Sequence, residues 1–252
     1  MTDKAAHHDA LAQLRERYRE LVDRLEGNQL EFQRLARSVL RVQEDERRRI
    51  ARELHDGVGQ NLTALKHQLA LLKTALPAGS PDAVARVDAC VELCTHTLED
   101  TRHLSRLLRP QVLDDLGLEA ALQWLARSVD GAGGLRVELR VEPMPNLDSE
   151  MQTLVFRLAQ EGLANVVRHA RAKDALVRLA MRAGQVSLMI WDNGVGFEAG
   201  RAAALASAGL SGGLSGMRER VRLHGGQLHI ESTDNGTWLR ASVPLVGSGA
   251  RQ

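Results

Sequence analysis

The chain has 252 residues, and its 33 Lys and Arg nearly balance 32 Asp and Glu, leaving a formal charge of +1. That balance removes the electrostatic case for a dedicated nucleic-acid binder, so no direct nucleic-acid partner is expected. Hydrophobic residues at 44% and charged residues at 26% are ordinary globular usage and exclude wholesale disorder, while 3% aromatics exclude a base-stacking surface.

The opening Met-Thr-Asp-Lys has no apolar signal region, and no run approaches the roughly 18 apolar residues of a membrane span. A cytoplasmic chain without membrane insertion is the expectation. From Leu11 the apolar positions run Leu14, Tyr18, Leu21, Leu25, Phe32, Leu35, Val39 and Val42, in steps of three and four broken only at Asn28. This is the heptad seam of a coiled-coil helix, assigned to residues 1–42, with Gly27 as the place for a local break. The next stripe is Ile50, Leu54, Val58, Leu62, Leu65, Leu69, Leu72 and Leu76. Val39 to Ile50 is a stutter, which either passes a rotation between segments or only adjusts packing.

A Pro/Gly loop at 77–82 separates this helix from a second one carrying Val84, Val87, Val91, Cys94, Leu98 and Leu108, ended by Pro110. Residues 43–110 thus form a helical hairpin, whose open seams predict a homodimer closed as a four-helix bundle. Cys90 and Cys94 are expected as small core residues on or beside that seam, since two thiols four apart make neither a disulfide framework nor a zinc set.

After a connector at 111–117 the texture changes. A helix is predicted over 118–129, a strand over 135–141, a helix over 149–170, and strands over 175–181 and 186–191. A Gly-rich stretch covers 192–216, followed by a short helix to His224 and a hairpin of strands 227–233 and 238–245. That hairpin is turned by Asp234-Asn235-Gly236, where Asn-Gly is a strong turn signal. Helices with antiparallel strands predict an α/β sandwich over 118–246 with helices on one face, and a frayed tail at 247–252.

Within the first helix, His55 lies off the buried seam and is followed by Asp56, Gly57, Gly59 and Gln60. Two helical glycines cost about 1 kcal/mol each relative to Ala, and the simplest gain is room for a bulky group at the imidazole. Asp56 is placed to orient the ring and take its proton, and Gln60 shares a face with Asp56 where an amide could hold water. In the second half, Glu161, Asn165 and His169 form a polar line at i, i+4 and i+8, with Arg168 beside it. Oxygen donors of this kind at Glu161 and Asn165 suit Mg2+. Asp192 ends a strand and is followed by Gly194 and Gly196, which allow close backbone approach to a ligand. Gly213, Leu214 and Gly216 open a helix whose N-terminus favours phosphate, and Gly236 and Thr237 follow in the last hairpin.

Taken together, these blocks resemble the nitrate-sensor-type class of bacterial two-component histidine kinases, over Arg37 to Val246. The resemblance implies that His55 is the phosphoacceptor, Asp56 the neighbouring base and Gln60 the residue that positions water to dephosphorylate a response regulator. The second half resembles the Bergerat-type ATPase domain shared by histidine kinases, gyrase and Hsp90-type chaperones. That likeness implies that ATP and Mg2+ are held by Glu161, Asn165, Arg168, His169, Asp192, Gly194, Gly196, Gly213, Leu214, Gly216 and Thr237, with Asp192 reading adenine. The partner implied is a receiver domain, expected on a regulator with a helix-turn-helix output. Residues 1–42 match no sensor domain, so a separate sensor protein or a longer chain is the expected signal source. Two other readings fit an ATP fold: a non-catalytic ATP-gated dimeric scaffold and a serine kinase. The first leaves the two helical glycines without purpose, the second the His-bearing hairpin.

Overall fold

The computed structural model describes residues 2–77, 81–108, 111–197 and 212–245. The predicted tail at 247–252, Pro110, the middle of the 77–82 loop and most of the Gly-rich stretch lie outside the described residues. The chain divides into two units, residues 1–49 and 50–252.

In the first unit, helix α1 begins, spanning Thr2–Glu53 without interruption. Gly27 does not break it; the cost of a single glycine, about 1 kcal/mol, is small against a helix this long. The seam residues Leu21, Leu25, Phe32, Leu35, Val39 and Val42 are all exposed. Near the end of this unit Arg49 donates to both carboxylate oxygens of Glu46, at 2.5 and 2.9 Å, which holds the Glu46 carboxyl below its ordinary range.

The second unit contains the hairpin and the mixed domain. Past α1 the ladder widens into a π-helical turn, π1 (Leu54–Gly59), before α2 (Gln60–Ala75) resumes, and α3 (Pro81–Leu108) returns alongside. Val87, Cys94 and Leu98 of α3 are buried, and the stripe continues with buried Thr101 and Ser105. The hydroxyl of Ser105 donates to the Ala51 carbonyl at 2.8 Å. Cys90, by contrast, is exposed: it precedes the seam position Val91 by one residue and so lies about 100° round the helix from it. Leu65 and Leu72 of α2, and Val58 of π1, remain 42–50% exposed, an apolar seam that α3 does not cover.

The predicted connector is helical over α4 (Gln111–Asp115), and its buried Leu113 joins the core of the mixed domain. That core is built by α5 (Gly117–Val129), α6 (Ser149–Asn165) and α7 (Gly212–Leu223) against one face of a five-stranded sheet. Helix α5 buries Leu118, Ala121, Leu122, Leu125 and Ala126, the i, i+3, i+4, i+7, i+8 stripe of an amphipathic helix. The Asp148 carboxylate caps α6 by accepting from Met151 N at 2.8 Å. The strands are β1 (Arg136–Val141), β2 (Asp174–Arg182), β3 (Gln185–Asp192), β4 (Gln227–Thr233) and β5 (Gly236–Pro244), in the order β1-β2-β3-β5-β4. Val177, Leu179, Val186, Leu188, Ile190, Leu239, Ala241 and Val243 supply the inner face.

The sheet departs from the expectation of antiparallel strands at one edge. β1 and β2 pair in parallel, because the connection between them crosses the sheet through α6. The β4–β5 turn is also not the expected Asn-Gly turn. Its loop is Asp234–Asn235, and Gly236 already pairs with Thr233. The β2–β3 loop is the one with positive φ at both positions, Ala183 (49°) and Gly184 (77°). This is the pattern of a tight hairpin turn that matches strand twist.

Candidate functional site

The His55 region is built on π1. The turn widens where Gly57 and Gly59 remove two side chains, and where the Ser105 hydroxyl donates into the ladder one turn upstream. His55 and Asp56 are both exposed on this turn, and Gly59 is buried, with the Leu54 carbonyl and the Leu98 side chain of α3 nearest to it. His55 and Gln60 line one open groove of about 500 Å³, together with Gly59, Thr63, Ala64, His67, Leu98, Thr101 and Arg102. Asp56 is not among the lining residues, and no hydrogen bond joins it to the imidazole of His55 among the described residues. His67, Thr101 and Arg102 were not singled out from the sequence; α3 brings Thr101 and Arg102 to the groove from more than forty residues away.

The second constellation gathers around Asp192, which ends β3 and is only 4% exposed. Its carboxylate accepts from the Gly194 amide at 2.8 Å and from the Thr237 amide on β5. Burial pushes its pKa above the ordinary carboxylate value, and those two amide donors oppose the shift. Three glycines make the packing around it possible. A Cβ on Gly194 would overlap the Ala170 backbone, one on Gly196 the Thr233 carbonyl, and one on Gly236 the Asp192 carbonyl. Gly196 and Gly236 also have φ of 61° and 128°, which side chains rarely adopt. The loop after Asp192 is pinned by Val195 N donating to Ala170 O and Phe197 N donating to Ser232 Oγ, both at 2.8 Å.

Helix α6 supplies the half-buried Glu161 and Asn165. Gly213, at the start of α7, lies so close to the Glu161 carboxylate that a Cβ there would overlap Oε1. Leu214 and Gly216 are half-buried on the same turns of α7. The structure therefore brings all four sequence blocks together, with Ala170 and Glu161 as the points where α6 and its extension meet the others. The expected polar line 161–165–169 runs from α6 into a change of helix type. The ladder widens again into π2 (Val166–Ala170), on which Arg168 and His169 are exposed while Glu161 and Asn165 are half-buried, and Arg171 closes it with φ of 51°.

Asn193 is a residue the sequence reading passed over. Its Oδ1 accepts from Lys173 N and Asp174 N, both at 2.9 Å, and its Nδ2 donates to Asp174 Oδ2 at 2.8 Å. It clamps the entry to β2 against the Asp192 loop. The Asp-Asn-Gly run was its only signal, and such runs read first as turns.

A buried strand-end carboxylate, a glycine-supported loop beside it and helix oxygens facing a second glycine segment define a nucleotide-binding ATPase domain, here joined to a His-bearing helical hairpin. Comparison with known proteins agrees. Residues 46–113 match the histidine kinase family, and residues 150–247 match the family described as histidine kinase-, DNA gyrase B-, and HSP90-like ATPase. The sensor histidine kinase MctS of Rhizobium johnstonii is 37% identical over 211 residues, covering 83% of this chain and 45% of that protein. The oxygen sensor histidine kinase NreB of Staphylococcus carnosus is 32% identical, covering 84% of this chain and 60% of that protein. The signal transduction histidine-protein kinase/phosphatase UhpB of Salmonella typhimurium is 34% identical, covering 91% of this chain and 45% of that protein. The chain belongs to the nitrate-sensor-type class of two-component sensor histidine kinases. It spans between 45% and 60% of the length of these relatives. No helix among the described residues is long and apolar enough to cross a membrane.

Proposed function

We propose that this chain is an ATP-dependent protein-histidine kinase that phosphorylates His55, passes the phosphoryl group to an Asp of a response regulator, and supports removal of that group through Gln60. The observation that carries this reading is the exposure of His55 on a widened, glycine-relieved turn at an open groove, in a chain that also holds the Asp192 constellation. Residues 1–42 act as the input helix and 43–110 as the phosphotransfer hairpin. Residues 118–246 act as the ATP-binding domain, with the 111–117 segment joining the two.

The donor set around Asp192 fits ATP. An acceptor carboxylate shielded from water suits the exocyclic amino group of adenine, and the half-buried Glu161 and Asn165 oxygens suit Mg2+. Among the described residues no three His, Cys, Asp or Glu side chains cluster as a metal cage, so such a cation would complete its shell with phosphates and water. ATP with Mg2+ supplies the activated γ-phosphoryl group. Arg168, His169, Gly194, Gly196, Gly213, Leu214, Gly216 and Thr237 complete the site in this reading. The imidazole of His55 is the nucleophile, and Asp56, its exposed neighbour, takes the ring proton after a rotamer change that brings it to the ring. The barrier is lowered by positioning and charge neutralisation. The groove below His55 receives the receiver domain of the regulator, expected to carry a helix-turn-helix output, and Gln60 orients water there for dephosphorylation.

The exposed seams of α1 and of α2 are covered by a second copy of the chain, as a coiled coil and a four-helix bundle. A cytoplasmic location and a separate sensor protein complete the reading. The test is incubation with Mg2+ and γ-labelled ATP beside His55→Gln: acid-labile, alkali-stable label absent from the variant is expected. Acid-stable label would indicate serine chemistry, and no label with intact ATP binding would indicate an ATP-gated scaffold. In the same assay Gln60→Ala should retain label and lose regulator dephosphorylation.

A further inference from the structure

Arg157 of α6 is 6% exposed, and none of the chemistry above uses it. Its Nη2 donates to the Leu108 carbonyl at 2.5 Å, and its Nη1 donates to Gln160 Oε1 at 2.7 Å. Leu108 is the last residue of α3, so this carbonyl belongs to the helix end, where partial negative charge accumulates and a cation is favoured. In sequence only Arg109 and Pro110 separate it from α4, whose Leu113 is part of the ATP-binding core. Among the described elements the more extensive packing joins π1, α2 and α3 to one another, and the helices and strands of the ATP-binding domain among themselves. The guanidinium thus bridges the junction of hairpin and ATP-binding domain. It does so from the helix that presents Glu161 and Asn165 one and two turns further on, at i+4 and i+8.

We propose that Arg157 is a positioning residue: by clamping the last carbonyl of α3 to α6, it sets the direction in which the ATP-binding domain faces His55. It touches neither nucleotide nor imidazole. A planar guanidinium holds both acceptors at once, whereas Lys keeps the charge with a single point of attachment. The inference rests on His55 being the phosphoacceptor.

The test compares the full chain with Arg157→Met and Arg157→Lys, measuring affinity for a fluorescent ADP analogue, His55 labelling rate at saturating ATP, and thermal midpoint. Arg157→Met should bind nucleotide within about twofold of the parent while its labelling kcat falls roughly tenfold or more, and Arg157→Lys should lie between. A parallel loss of affinity and rate would make Arg157 a structural part of the ATP-binding domain and overturn the proposal, as would an unchanged or faster rate. Should Arg157→Met not fold, Arg157→Lys decides alone: a lowered kcat at unchanged affinity supports the clamp, and any other pattern overturns it. Absence of label in the parent chain itself would instead defeat the kinase reading.

Discussion

Replacing Asp192 with Asn probes the proposed nucleotide site at its most buried carboxylate. The two amide donors from Gly194 and Thr237 are both satisfied by this one carboxylate. Asn keeps a single acceptor oxygen for the backbone amides and, in the proposed site, turns an NH2 donor towards the adenine amino group. A hydrogen bond to a charged group contributes about 1.5–3 kcal/mol, so ADP affinity should fall by roughly 10- to 150-fold. Isothermal titration of ADP into both proteins measures this directly. The pH dependence supplies an independent check. Because burial raises the Asp192 pKa, its carboxylate is protonated at higher pH than an ordinary Asp, and affinity should fall on acidification through that raised value. The Asn variant should show no such fall. In the unliganded protein the sign for stability is opposite. This group favours folding below its unfolded pKa, and that contribution is lost as pH rises through the raised folded pKa. An Asn variant that binds ADP within about threefold of the parent, with the same pH profile, would refute the placement of the base at Asp192.

Other substitutions test separate parts of the fold and site. Gly57→Ala meets nothing within 4 Å, so it should stabilise the hairpin by up to about 1 kcal/mol in thermal unfolding while lowering His55 labelling, if the space serves an incoming group. Gly194→Ala drives a methyl group into the Ala170 backbone and should cost about 1–3 kcal/mol of stability together with nucleotide binding, read by denaturant unfolding and titration. Leu72→Asp places a charge on the 50%-exposed seam of α2 and should shift the protein from dimer to monomer in light scattering, with little effect on ADP affinity.

The sequence displayed most of the ATP-binding domain because its elements announce themselves locally. β2 and β3 alternate by twos, α5 and α6 keep a helical stripe, and Asp148 caps α6 three residues ahead of the amide it accepts from. What it concealed depends on distant partners. Gly236 reads as a turn glycine but is required by the approach of the Asp192 carbonyl, more than forty residues back. Leu113 reads as part of a connector but is recruited by a core assembled from later elements. The parallel pairing of β1 follows from where α6 crosses the sheet, and strand composition alone says nothing of that.

The two places where helical periodicity failed are related, and each carries a candidate imidazole. π1 holds His55 and π2 holds His169. A widened turn is rarely stable without support, and both are held by a bond from another element. At π1 the Ser105 hydroxyl takes the Ala51 carbonyl, 54 residues away in sequence. At π2 the Val195 amide takes the Ala170 carbonyl, while Gly194 lies close enough to Ala170 to exclude any side chain. The local composition supplies only permission, through Gly57 and Gly59 in one case and the β-branched pair Val166–Val167 in the other. The decision to widen is made by the packing partner. His55 is therefore presented by α3 as much as by its own helix, and a change in how Ser105 meets the Ala51 carbonyl acts on the ladder one turn before the imidazole.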